Sequence, residues 1–266
     1  MKQYAYHTYQ KPIERLGLGL ALFGLAGLFS QSAQASKLLS ERIYWPISIF
    51  IQKILSAITG ALPFSLAEVC LYLLLLLIPG IILWYILRSR KVGGWIKRGI
   101  SILSAASLVL GVFSLCFQLF WGLTYNRYPI QERMGLKVVY RPAYQLDDTV
   151  SALIRELGDT AKQVERNEDG TMKEIPFSVL AEKTRKAFEN YTQSSWAGVK
   201  KIANSKLMSY TNITGIFVAF TGEANVNFNN TTPSLPFVMA HEMSHRYGIS
   251  PEDEANFFAF LVCKES

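Results

Sequence analysis

The sequence predicts an α-helical membrane region of two to three spanning helices, followed by a water-soluble α+β domain with a small β-hairpin or sheet. Three observations predict it. Half of the 266 residues are hydrophobic and only 18% are charged, against about a quarter in soluble domains. The acidic residues are placed unevenly: before residue 124 there are only Glu14, Glu41 and Glu68. Finally, the texture changes after Gly215, where short strand-like runs precede a helix. The membrane region is read as residues 1–124 and the second domain as 125–266.

The first apolar stretch, Leu16 to Phe29, carries no charge and follows Lys11 and Arg15. It predicts a span over about 13–31, short against the roughly 20 residues a crossing helix needs. An A-x-A pattern at Ala33 to Ala35 leaves a cleaved signal peptide as the alternative. Either way residue 36 emerges on the far side. Residues 43–62 mix apolar side chains with Gln52 and Lys53 and read as an amphipathic helix, interfacial or packed on the spans.

Two longer runs follow, at about 66–87 and 100–123. The first ends near Trp84-Tyr85 and the second near Phe120-Trp121, and such aromatic residues suit a membrane–water boundary. Glu68, one acid without a partner in the spans, reads as structural and not as an ion path. Between the runs lie Arg88, Arg90, Lys91, Lys97 and Arg98, whereas residues 31–64 carry only Lys37, Arg42 and Lys53. The positive-inside rule puts 88–98 in the cytoplasm and everything after 124 outside it. The expectation is a multi-pass protein of the cell membrane with an extracytoplasmic C-terminal domain.

The net charge of +7 is explained by that basic linker, so no nucleic-acid partner is expected. Cys70, Cys116 and Cys263 form no CxxC pair and define neither a disulfide framework nor a thiolate metal site.

In the second domain a helix is predicted from Leu146 to about Glu165, with Val150, Leu153, Ile154 and Leu157 at helical spacing. Asn167 to Gly170 is a turn, and a second helix covers Phe177 to Tyr191. Both read as scaffold. Ile216 to Phe220 and the alternating Ala224 to Phe228 read as two strands across a tight turn. Four Asn-x-Ser/Thr sequons, at Asn190, Asn212, Asn229 and Asn230, do not by themselves establish glycosylation.

The chemistry is concentrated in His241-Glu242-Met243-Ser244-His245. Ser234-Leu-Pro236 starts a helix that stops at Gly248. His241 and His245 are four residues apart and project from one face, as two imidazoles binding one Zn2+ must. Glu242 lies about 100° around the helix, beside the metal, where a general base acting on bound water is needed. Only three histidines occur in the chain, and two of them are these.

Ser250-Pro-Glu-Asp253 reads as the start of another helix, with Ser250 and Asp253 in a capping pattern. That leaves Glu254 in its first turn as the expected third metal ligand, giving a His2Glu set with an open position. The alternative for Glu254 is a solvated acid favoured by the helix dipole. The strand residues Ala224, Asn225, Val226 and Asn227 are candidates for binding extended peptide by strand addition, or merely roof the active-site helix. Tyr247 reads as a packing residue.

These residues resemble the gluzincin metallopeptidases, where H-E-x-x-H is followed by a Glu-Ala-Asn/Asp helix; Glu254-Ala-Asn256 matches that second motif. The wider chain resembles a bacterial family of membrane proteins, domain-of-unknown-function family 3810. The matching pieces are Leu62-Pro-Phe-Ser65, Trp121-Gly-Leu-Thr-Tyr-Asn-Arg127, Thr221-Gly-Glu-Ala-Asn-Val-Asn227 and Pro236 through Cys263. The resemblance implies zinc ligands at His241, His245 and Glu254, a catalytic Glu242, and a gluzincin-like metallopeptidase domain. Two departures stand against it. Arg246 puts a charge where such peptidases carry an uncharged residue, and the chain ends twelve residues after Glu254, which reads as a C-terminal truncation.

The expected function is therefore a membrane-anchored zinc metallopeptidase acting on peptides or proteins. The alternatives are a metal-binding, catalytically weak sensor or assembly partner and, less favoured, a small transporter with an accessory domain. Oligomeric state is not legible.

Overall fold

The computed structural model describes residues 2–89 and 95–264. Three helices dominate the first half: α1 (Lys2–Ala35), α3 (Leu66–Ser89) and α4 (Trp95–Phe120), with the shorter α2 (Trp45–Gly60) between α1 and α3. Stretches of α1, α3 and α4 are long and apolar enough to cross a membrane: Gln10–Ala35, Leu66–Trp84 and Arg98–Phe120. Those bounds overlap the three predicted spans. Of the basic linker, Arg90 and Lys91 lie outside the described residues.

α1 and α4 pack closely along their length, and small residues are the reason. A Cβ on Gly19 would overlap the Ser107 backbone, and one on Gly111 would overlap the Gly19 carbonyl. Without side chains at these points the two backbones can approach and gain packing that bulkier residues would forbid. From Ala35 the chain passes through a helical turn at Lys37–Leu39 and a π-helical turn at Ser40–Tyr44 into α2.

The second half is built from α5 (Ala143–Ala161), α6 (Phe177–Thr192), a three-stranded sheet, α7 (Leu235–Arg246) and α8 (Glu252–Lys264). The strands are β1 (Lys200–Lys201), β2 (Gly215–Val218) and β3 (Glu223–Val226), in the order β1-β3-β2. β1 runs parallel to β3, and β2 antiparallel with Ile216 opposite Asn225. Gly222 closes the β2–β3 turn at φ +66°, where an added Cβ would also collide with Leu55 and Ser56 of α2.

Two expectations change here. The strand predicted to be half-buried, Ala224 to Phe228, is β3, and all four of its residues are buried. It is the central strand, with α2 and α7 both packed against it, so no face is left for water. The helix predicted from Leu146 begins at Ala143, and its stripe of Val150, Leu153, Ile154 and Leu157 stands exposed.

α7 lies across β2 and β3 and packs on α6 and α8. Phe188, Trp196, Ala240, Met243, Ile249 and Phe258 form the core beneath it. The apolar helices are tied to this layer by specific hydrogen bonds. Glu223, buried in β3, accepts the backbone N–H groups of Leu66 (2.9 Å) and Ala67 (2.7 Å) and so caps the first turn of α3. Those N–H groups have no partner within the helix, and a carboxylate there also suits the helix dipole. Glu68 answers in the other direction, accepting from Ala203 (2.8 Å) and Asn204 (2.9 Å). Arg127, just past α4, forks onto Glu41 (2.9 and 2.7 Å) and donates to the Gly248 carbonyl (2.9 Å) at the end of α7.

Candidate metal centre

Gly248 ends α7's run with φ +81°, and a Cβ there would strike the Trp45 indole. The backbone therefore reverses at a position only glycine suits, and α8 returns over the histidine face of α7. His241 and His245 meet with their Nε2 atoms 3.1 Å apart. His245 Nδ1 lies 2.8 Å from the Ile249 carbonyl oxygen. A carbonyl only accepts, so Nδ1 carries the proton and Nε2 is left with its lone pair facing the cluster.

The carboxylate that completes the group is that of Glu252, the first residue of α8. Its Oε2 lies 3.1 Å from His241 Nε2 and its Oε1 3.5 Å from His245 Nε2. One ligand atom from each of the three residues lies within 4.8 Å of the others. The set can be tested against a zinc ion by elementary geometry. Two nitrogens each about 2.05 Å from a tetrahedral centre are about 3.3 Å apart, close to the 3.1 Å found here. Two imidazoles and one carboxylate are also the donor types zinc accepts in catalytic sites. The residues fit the ion.

Electrostatics favour the same use. Burial, followed by the neighbouring His245, lowers the His241 pKa, against the opposing pull of Glu252 and Asn256. The imidazole is thereby held neutral, the form that binds metal. Glu242, about 100° around α7 from His241, is buried against β2. Burial pushes its carboxyl up to about 8, the Glu252 charge adds to this, and the Phe217 backbone N–H opposes it. A cation held by the neighbouring residues would pull that value down. The Glu242 side chain lies so close to Gly215 that an added Cβ would sit 2.5 Å from its Oε1.

The structure thus brings His241 and His245 together with Glu252, keeps Glu242 next to His241 on the helix but buried against β2, and does not bring in Glu254. Glu254 pairs with Arg133, Oε2 to Nη2 3.2 Å, in a largely buried contact. The reason is helical phase: two residues rotate the side chain by about 200°, so 252 and 254 face opposite ways. Ser250, read as a capping residue, is buried and shares a 2.5 Å hydrogen bond with Thr124. The legible signal for Glu252 was Asn256, four residues on and hence on the same face, where it also reaches His241.

The expected substrate strand changes too. β3 is hydrogen-bonded on both edges, so Ala224, Asn225, Val226 and Asn227 have no edge to offer a peptide. The Asn225 amide donates to the carbonyls of Ile216 and Glu223, and Asn227 to Ser209 Oγ and the Ile213 carbonyl. Both serve the sheet. The outer strand is β2. Asn227 N–H donates to the Thr214 carbonyl, so by antiparallel alternation the main-chain groups of Gly215 and Phe217 point away from β3. That is the side on which Glu242 lies.

Arg246 is fully buried and turned from the cluster, donating to the carbonyls of Ala197 (2.5 Å) and Gly198 (3.4 Å). Burial lowers its pKa to about 10, so it stays charged at neutral pH and its charge is used to hold the 197–198 backbone. Sequence reasoning passed over Trp121 as a site residue. Its ring makes edge contacts with His245 (6.0 Å between centroids) and Phe217 (5.9 Å). Burial and the charge of Glu252 raise the pKa of Tyr125, whose ring lies against Trp121 at 5.1 Å. The segment leaving α4 therefore walls the site.

No curated protein and no solved structure matches the chain. The family described as a protein of unknown function, DUF3810, matches over residues 41–266, a stretch that takes in α2 to α8 and all of the cluster; the chain belongs to that family.

Proposed function

We propose that this protein is a membrane-anchored, gluzincin-like zinc metallopeptidase in which His241, His245 and Glu252 hold the metal and Glu242 is the general base. One observation carries the reading: two imidazole Nε2 atoms and one carboxylate converge within 4.8 Å, with a second, buried carboxylate on the same helix beside them. When bound, the zinc ion would acidify a water and polarise the scissile carbonyl.

The chain's own residues do the rest. Glu242, held between α7 and β2, takes the water's proton on a carboxylate oxygen and passes it to the leaving amine. The outward-facing carbonyls of Gly215 and Phe217, with the Gly215 N–H, align an extended peptide along β2, while the Phe217 N–H holds Glu242. Trp121 and Tyr125 close the site on the side of the spans. The C-terminal end of α1, the start of α3 and the end of α4 all meet the second half of the chain, whereas residues 88–98 join the opposite ends of α3 and α4. Applied to that linker, the positive-inside rule places the cluster on the extracytoplasmic side.

The test is metal content and peptide-library cleavage of the purified full chain. The parent is expected to carry one zinc and to cleave, His241→Ala to lose the metal, and Glu242→Gln to keep it without turnover. Cleavage by Glu242→Gln at the parent rate would overturn the assignment.

A further inference from the structure

α2 is an amphipathic helix with its polarity reversed. The side turned into the protein is polar: Ser48, Gln52, Ser56 and Thr59 are each no more than 3% exposed. Ser48 donates to the Leu119 carbonyl (2.7 Å), Gln52 to those of Phe120 and Ala219 (3.0 Å each), and Thr59 to that of Thr221 (3.1 Å). The opposite side is an apolar stripe at helical spacing, Ile47, Phe50, Ile54 and Ile58, and it is exposed, with Phe50 at 66% and Ile58 at 65%. Ile43, in the preceding turn, extends it. A helix on the surface of a water-soluble domain has these two sides the other way round.

We propose that α2 is embedded in the membrane with this stripe in the acyl chains. Three features point to lipid as the occupant. Ser48 and Gln52 hold the last carbonyls of the span Arg98–Phe120, so the stripe continues a surface that is itself apolar and exposed. The stripe carries no charge; Lys53, the one charged residue of α2, is exposed on the flank beside it, about 100° around the helix from Gln52, with its ammonium 5.3 Å from the Trp196 ring centroid. The helix has 16 residues, about 24 Å of length, which is short of the roughly 30 Å hydrocarbon core. It therefore lies within one leaflet and does not cross.

The consequence is a depth for the metal centre. On its inner side α2 carries the end of α7: Trp45 Nε1 donates to the Tyr247 carbonyl (3.1 Å), and the two rings meet edge to face at 5.9 Å. His245 lies two residues before Tyr247 on that same end of α7, and Trp121, the residue after the span Arg98–Phe120, meets its ring with 6.0 Å between centroids. The cluster opens at the bilayer surface. The lipid contact itself does not depend on the proposed peptidase activity.

The test uses the full chain in phosphatidylcholine vesicles, with Cys70, Cys116 and Cys263 replaced by alanine. Single nitroxide labels are placed at Ile47, Phe50, Ile54 and Ile58, with Leu75 in α3 as the lipid control and Leu146 in α5 as the water control. Collisions with dissolved oxygen and with a water-soluble nickel chelate are read at each site, and circular dichroism checks that each variant is folded. The four stripe labels are expected to match Leu75, with strong oxygen collisions and loss of nickel collisions. Nickel collisions at the Leu146 level would place α2 in water and overturn the proposal. Labels shielded from both reagents would show that protein covers the stripe, which overturns it equally.

Discussion

The Glu252 carboxylate closes on the His241 imidazole, Oε2 to Nε2 3.1 Å, while Glu254, two residues along the same helix, turns away to Arg133. The first pairing completes the proposed metal site and the second pins α8 to the segment that follows α4. Substitutions at the two positions are therefore expected to fail differently. Glu252→Ala removes a ligand and should weaken zinc binding by more than the roughly 10–100-fold that loss of an outer partner costs. Glu254→Gln should bind zinc within about tenfold of the parent but unfold more easily, by about 1–3 kcal/mol, because Arg133 loses a hydrogen-bonded counter-charge. Zinc titration and thermal unfolding of both variants check this.

Gly215 gives Glu242 its room. An added methyl would stand 2.5 Å from Glu242 Oε1, inside van der Waals contact, so Gly215→Ala must push either β2 or the carboxyl aside. The expected result is a fall in kcat of about a hundredfold or more, as misplacement of a catalytic group by about 1 Å produces, with zinc content unchanged. A variant that kept parental kcat would show that Glu242 is not positioned by β2.

Glu242 also predicts how the metal-free protein responds to pH. Burial raises its folded-state pKa from 4.5 to about 8, so between those values the folded chain holds a proton that the unfolded chain has released. Its contribution to stability is full below about 4.5 and is lost as pH rises towards about 8. After chelation, the parent should lose more stability than Glu242→Gln between pH 6 and 9, since the amide cannot titrate. Denaturant midpoints of both proteins across that range read the difference. Parallel curves would mean that Glu242 is ionised without metal.

The sequence carried some of this plainly and some not at all. The spans were legible because a run such as Leu66 to Leu87 has no other stable environment, and the histidine pair because four-residue spacing has one meaning on a helix. The choice between Glu252 and Glu254 was not, because it turns on where α8 begins and how it is rotated against α7. The helix start at Ser250 to Asp253 was legible, but the Ser250 hydroxyl pairs with Thr124, 126 residues away, which no local pattern shows. β3 looked like a half-buried strand because Asn225 and Asn227 are polar, yet both are buried by hydrogen bonds made across the sheet and to loops. α2 was recognisable as amphipathic, but which side faces lipid depends on the end of α4 packed against it.

The depth of the site leads to a prediction about substrates. With α2 in one leaflet and Trp121 of the α4 end in contact with His245, a peptide tethered to the membrane is already concentrated in the plane where the cluster opens. Tethering replaces a bimolecular encounter by one at an effective concentration set by the tether, which for short flexible linkers is of millimolar order. If the protein is the peptidase proposed, the same reporter sequence, carried either on a lipid-anchored peptide or on a free one, should be cleaved faster when anchored to the vesicles that hold it. The advantage should shrink as the spacer between anchor and scissile bond is lengthened, because the effective concentration falls with tether length. Equal rates for anchored and free reporters, at every spacer length, would mean that the site is fed from bulk water and not from the membrane surface.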